Sequence, residues 1–540
     1  MDDPEFLPML FSGDMNTLEF DQMFNADHDL DGFFADLLCV PSFPQPRRSD
    51  FTPSFEDASL RSWLGVGQYN SDNDVLKAYY QYVHPCFPIL PPPAAENDVY
   101  TANQGYDQAY EPTSPLIIAL LSITIPIQTS EISANQGSEA TLYTNQAYSL
   151  AHRAAETCAR WSVATDCNSP LSEKPFVHPD VPPELEIPLA YCLLSLYHYL
   201  HRGDIAMMTS FAEKAHEAAI QLSLHKECTE IRGVAIREAR SRAWWATYLC
   251  VCHASMVSCK PPIRAINTRT LEVQFPTSEY ISRVWERYIR AEETLVAATL
   301  LLVSLVKGIR SKESVPNFRR SFGAVDKMIQ AQLAQLTHVE PLTSTGDHSP
   351  EYKLAKSLHT ITRMRLMSAN MKIHRYRALM EYPAISRKFA SFPPLDISER
   401  PPSESTDFQS AVLAKVEQIF PFPNHYSLQS CINSALAVSE CLGSLRNDLT
   451  VAPFICSAII AGYTAMMMLH FHGPEKRQLL PWLPVHEFRN HCQSITVATI
   501  KFLDRYSAGS SHLDRLTCDL RRAATACGVD LELSHFNPAI

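Results

Sequence analysis

Glycine is scarce in this chain, with 16 in 540 residues, and charged side chains make up 19%, below the roughly 25% of an average soluble domain. Glycine-rich cofactor loops and long solvated charged helices are therefore not expected. No Gly-x-Gly-x-x-Gly, no Walker loop and no Gly-x-Ser-x-Gly elbow occurs, which removes the familiar phosphate-cradling and nucleophile-presenting constellations. Basic residues never run beyond two, as in Arg47-Arg48, Arg319-Arg320, Lys476-Arg477 and Arg521-Arg522. That is no electrostatic footprint for a phosphate backbone. Close Cys-x2-Cys pairs are missing, and so is any Asn-x-Ser/Thr acceptor, which argues against structural zinc, a disulfide framework and secretion. The first thirty residues hold no positive charge beyond the amino terminus and no apolar run, so they are not a secretory signal.

What is present is apolar mass: 46% hydrophobic side chains, punctuated by 38 prolines, enough for a large core. The formal charge of -12 is distributed unevenly, because residues 1–46 carry ten carboxylates and no Lys or Arg, leaving the remainder near -2. Within that acidic segment Phe20, Phe24, Phe33, Phe34, Leu37 and Leu38 are interleaved with Glu19, Asp21, Asp29, Asp31 and Asp36. Mutual repulsion keeps the apolar groups from collapsing on one another, so residues 1–70 are expected to be disordered alone. Such a segment can fold an apolar face into a partner's groove, a composition typical of activation segments, while a merely solubilising terminus has a similar one.

From Asp74 onward the apolar spacing is helical. One stripe is Met208, Phe211, Ala215, Ala218 and Leu222. A second is Ile281, Trp285, Tyr288, Leu295, Leu302, Val306 and Ile309, and a third is Leu428, Ile432, Ala435, Leu442 and Leu445. Windows of period two are almost missing, so the expected fold is all-α: a multi-helix domain behind a disordered acidic tail. The expected division is 1–70, 71–340, and a C-terminal part 341–540 packed on the region before it, with a Pro-rich linker at 391–426. Phe454 to Phe471 carries no formal charge, but its borderline length together with Ser457, Thr464 and His470 marks a buried core helix rather than a membrane span. Cys250, Cys252 and Cys259 have the wrong spacing for zinc and read as small buried hydrophobes. His198 and His201, and His470 and His472, are pairs without nearby acids, too little for a metal site. No catalytic, cofactor-binding or metal residue is assigned.

Asp74 to Leu90 reads DVLKAYYQYVHPCFPIL. Leu76, Tyr79, Tyr80 and Val83 form one apolar helical side, Pro85 and Pro88 force the chain to leave extended, and His84 is placed to hydrogen-bond the freed carbonyls. This stretch resembles the opening motif of the regulatory middle homology region of fungal zinc-cluster transcription factors. The likeness continues through Ala215 and Leu222-Ser223-Leu224-His225, then Glu238, Arg240, Arg242 and Trp244-Trp245, and the later Phe275-Pro276. Where the family has Gly-Arg-Pro before Ile, this chain has Cys259-Lys260-Pro261-Pro262-Ile263, so the Gly-Arg is lost. Ile373-His374-Arg375-Tyr376 is similar to the family's His-Arg helix. The resemblance implies packing roles for Tyr79, His84, Pro85, Phe87, Pro88, Glu238, Arg242, Trp244, Trp245 and Pro262. It implies a nuclear regulator of RNA polymerase II transcription that is not an enzyme. Its acidic tail would meet a coactivator or the transcription machinery, and its helical region would bind a partner or a small inducer or form a homo- or heterodimer with a zinc-cluster factor. No membrane is involved.

Members of that family open with six cysteines holding two zinc ions and a basic helix for the major groove. Here only Cys39 precedes residue 86. Either the gene product lacks the module or its start is truncated, so zinc belongs only to a missing segment and DNA is reached indirectly. A helical enzyme or small-molecule-binding protein on the same scaffold is the alternative. Its sign would be an enclosed pocket with two facing acids or a His–acid pair.

Overall fold

The computed structural model describes residues 69–93, 110–132, 137–166, 177–226, 233–262, 273–281, 283–308, 314–337, 349–380, 382, 414, 416–445, 451–471, 484–507 and 510–531. The acidic segment, with Phe20, Phe24, Phe33, Phe34, Leu37 and Leu38, lies outside them.

Every regular element among the described residues is helical. In chain order they are α1 (Asp72–Ala78), continued by a π-turn at Tyr79–Val83, then α2 (Pro115–Ile132), α3 (Gly137–Asp166), a 3-10 turn at Pro183–Leu185, α4 (Glu186–Tyr197), continued by a second π-turn at His198–Arg202, α5 (Ile205–Gln221), α6 (Val234–Ser258) and α7 (Val284–Gly308). These are followed by α8 (Ser314–Thr337), α9 (Pro350–Leu379), α10 (Asn424–Ser444), α11 (Ile455–Phe471), α12 (Val485–Ser507) and α13 (Ser511–Ala526). Local chemistry explains several starts. Ser71 caps α1 by accepting the Asp74 N–H, Asp204 caps α5 through the Met207 N–H, and Ser510 caps α13 through the Leu513 N–H, each satisfying a donor the helix itself leaves open. α9 starts on Ser349, whose side chain accepts from Tyr352 N–H, with Pro350 in the first turn, where its missing N–H costs nothing.

Most helices pack on their chain neighbours, and several also reach beyond them: α2 to α4, α4 to α6, α10 to α12 and, most extensively, α9. It packs on α7, α8, α10 and α11, and most of its thirty residues are buried. Among the described residues one continuous apolar cluster runs from Val75 to Val529, with a small second one at Ala291, Leu336 and Leu366. The described residues of the three apolar stripes lie in or against the larger cluster, with one shift, while the side chains of Val306 and Ile309 fall outside those described. On α5 the inner face is Met208, Phe211, Ala212, Ala215 and Ala219, while Ala218 and Leu222 are half-buried. α11 is a core helix, buried almost all round, as its length and polarity imply, and no described helix is long and apolar enough to cross a membrane. Within the Pro-rich stretch, Val416, Ile419 and Phe420 are buried, and Phe420 packs 4.6 Å from Phe322.

Candidate functional site

The opening motif supplies the centre of the site. At its π-turn the His84 N–H reaches back to Tyr79 O at 2.8 Å, five residues away. A regular helix, at 100° per residue, would set these two side chains about 140° apart. The wider turn brings them together: Tyr79 Oη lies 2.9 Å from His84 Nδ1. The freed-carbonyl role expected for His84 is not what is found. Its Nε2 is 2.9 Å from Glu351 Oε1, at the start of α9. A carboxylate only accepts, so Nε2 carries the proton and Nδ1 accepts from the Tyr79 hydroxyl.

The same hydroxyl accepts the Leu90 N–H at 2.9 Å. Arg242 closes the ring. Its Nη1 donates to Leu90 O at 3.1 Å, its Nη2 to Glu351 Oε2 at 3.3 Å, and its Nε to Glu238 Oε1, one helical turn earlier on α6, at 2.9 Å. The guanidinium carbon stands 5.4 Å from the ring centre of Trp285 on α7, within cation–π reach. Leu90, Tyr79, His84, Glu351 and Arg242 therefore form a closed cycle of hydrogen bonds, with Glu238 attached, joining the opening motif to α6 and α9.

Burial sets the protonation states. His84 is fully buried and Arg242 is 1% exposed. Burial pushes the His84 imidazole below its usual value, and although the Glu351 bond pulls the other way the shift remains downward, so the ring is neutral. Burial alone would raise the Glu351 carboxyl, but the His84 bond and the Arg242 charge outweigh it and hold it lower than usual. Its place in the first turn of α9 also suits an anion. Burial works against the Arg242 charge too, and Glu351 and Glu238 overcome it. The arrangement is a neutral, fully buried imidazole bridging a buried tyrosine and a paired carboxylate that keeps partial exposure. It can fasten three elements.

The remaining motif residues pack around this node without joining it. Pro85, Phe87 and Pro88 are buried where the chain leaves the π-turn. Trp245 stacks on Phe275, with centroids 4.5 Å apart, and donates its indole N–H to Gln274 O at 3.0 Å. Trp244 lies against His216 and His225, and Pro262 is half-buried after the end of α6. Tyr80, half-buried, donates to Pro91 O at 2.7 Å and receives the His178 ring N–H at 3.1 Å. Tyr82 O accepts the Val451 N–H at 2.7 Å, which ties the opening motif to the C-terminal helices.

Sequence reasoning missed Glu351, whose only local signal is the Ser349-Pro350-Glu351 helix start, and it missed a second buried pair altogether. Arg365 Nε on α9 lies 2.7 Å from Glu292 Oε2 on α7, both nearly inaccessible. Arg365 also donates to Cys456 Sγ at 2.8 Å and to Pro453 O at 3.2 Å. Farther along α9, Lys372 Nζ donates to Thr299 Oγ1 at 2.7 Å, and burial lowers this amine to about 8. Cys250, Cys252 and Cys259 are buried and unbridged. Among the described residues no group of three or more His, Cys, Asp or Glu is placed to hold a metal. Cavities beside Arg365 and beside Tyr506 measure about 20 Å³ each, room for little more than a water molecule.

No curated protein and no solved structure matches the chain. The family model described as the fungal specific transcription factor domain matches residues 76–366. That span contains the whole charge node and the Trp244-Trp245 pair, and the family it describes is one of transcription factors rather than enzymes. Covering more than half of the chain, the match shows that this protein belongs to the fungal specific transcription factor domain family and is a fungal transcription regulator.

Proposed function

We propose that the protein regulates RNA polymerase II transcription in the nucleus through protein contacts, its helical region controlling how an acidic, aromatic tail is presented. The observation that carries this reading is the closed node of Tyr79, His84, Glu351 and Arg242. Its bonds are spent on fastening elements, and its imidazole and guanidinium are out of reach of solvent. A helical enzyme would use a His–acid pair like His84 and Glu351, but the enclosure of both His84 and Arg242 favours the structural role. Residues 71–340 and 341–540 act as one regulatory body, on which a partner or a small inducer acts. The tail recruits a coactivator or the transcription machinery. The 540 residues contain no six-cysteine zinc cluster, so specific DNA contact is delivered by a zinc-cluster partner in a homo- or heterodimeric assembly or by a module outside these residues.

The test uses the full chain fused to a heterologous DNA-binding domain upstream of a reporter. Replacing Phe33, Phe34, Leu37 and Leu38 together with Ala is expected to lower reporter output at least severalfold at equal protein level. Output equal to that of the parent fusion would remove the tail's role.

A further inference from the structure

The cavity beside Arg365 lies where α4, α5, α6, α7 and α9 meet the turn before α11, and Phe87 of the opening motif lines it together with Ser195, His253, Tyr288, Glu292 and Arg365. Apolar walls would make this an ordinary packing defect. Its polar atoms say otherwise. His253 is 8% exposed and Glu292 1% exposed, yet neither the His253 Nε2 nor the Glu292 Oε1 has a hydrogen-bond partner. A buried polar atom left unpaired costs about 1–3 kcal/mol, and more for a charged one. Two such atoms around a single cavity call for an occupant that bonds to both.

Size and charge restrict that occupant. About 20 Å³ exceeds the roughly 10–15 Å³ that one water needs and falls far below a metabolite pocket. The Glu292 charge is already matched by Arg365 at 2.7 Å, with Lys372 acting on the same carboxylate. A further cation would meet both bases, and a further anion would meet the carboxylate. What fits is neutral, gives at least one hydrogen bond to Glu292, and exchanges one with His253. We propose that this cavity is an internal binding site for one water molecule, held between Glu292 of α7 and His253 of α6, which completes the polar core joining the opening motif to α9. Burial drives the His253 ring toward its neutral form and raises the Glu292 carboxyl, and both directions suit a neutral bridging molecule over an ion.

Crystals of the full chain, with and without xenon pressurisation, test the assignment. A dry apolar cavity of suitable size takes up xenon, whereas a hydrated polar one does not. The expected result is one ordered water within hydrogen-bonding distance of Glu292 and His253, and no xenon there. Empty density, or a xenon atom in the cavity, overturns the proposal. In solution, magnetic relaxation dispersion of isotope-labelled water counts long-lived internal waters. The count should fall by one in His253→Leu and stay unchanged in His253→Asn, which keeps a polar partner. An unchanged count in a folded His253→Leu protein also overturns it. Should the leucine variant fail to fold, the xenon experiment on the parent chain decides.

Discussion

Replacing Arg242 with Met leaves the size of the side chain nearly unchanged and removes its charge. The guanidinium is 1% exposed, while its partners Glu238 and Glu351 keep 22% and 20% exposure in their side chains. Breaking a fully buried pair costs about 3–5 kcal/mol because the other charge is stranded. Here the stranded carboxylates retain some water, and Glu351 retains His84, so the low end applies, at about 3 kcal/mol. A cooperative unit of roughly 400 residues has an unfolding entropy of about 0.8 kcal/mol/K near its midpoint, so the melting temperature should fall by about 4 °C. Differential scanning calorimetry at neutral pH and low salt measures this. Adding Glu351→Gln removes one of the two stranded charges and keeps an acceptor for His84. The double variant should therefore lose less than the sum of the two single losses, by about 1–3 kcal/mol. A drop below 1 °C for Arg242→Met, or strict additivity in the cycle, would refute the claim that these charges are coupled.

Tyr79→Phe deletes the hydroxyl that receives Leu90 and donates to His84, and should cost about 1–3 kcal/mol in urea unfolding. Stability should fall as pH drops below about 6.5, because His84, His253, His198 and His512 all have folded values lowered by burial, the last two to about 4, and the unfolded chain then binds the extra protons. Glu351, also lowered, adds to the loss below about 4.5, and melting followed from about pH 7.5 down to about pH 3 tests both. Lys372 acts at the other end. Its amine falls from 10.5 to about 8, so stability should rise between those values, and Lys372→Met should abolish that rise while stabilising the protein at pH 7 by up to roughly 3 kcal/mol. Trp245→Ala removes the stack on Phe275 and should cost about 3–5 kcal/mol in the same unfolding assay.

Much of the helical architecture could be read from spacing, because a buried helix face repeats every three to four residues whatever it packs against. The stripe from Ile281 to Leu302 and that from Leu428 to Leu442 are buried as the periodicity requires. Tyr79, Glu238 and Arg242 stood out as members of a motif. Their purpose did not, since the residue that unites them, Glu351, is 267 positions from His84 and no local pattern connects such distant partners. The carbonyl-capping role expected of His84 was wrong for a related reason. A π-turn is invisible in composition, yet it decides which side His84 faces. Arg365 and Glu292 left no signal at all, because a charged residue on an otherwise mixed helix reads as solvated until its neighbours cover it.

The account rests on the node pinning the opening motif to α6 and α9, and hydrogen exchange across residues 79–90 of the full chain, parent against Arg242→Met, probes this most directly. The account predicts slow exchange at the Leu90 amide in the parent, accelerated about a hundredfold in the variant, as about 3 kcal/mol requires, with α10 changing less. Rapid exchange at Leu90 in the parent, or equal acceleration in α10 and in residues 79–90, would contradict it.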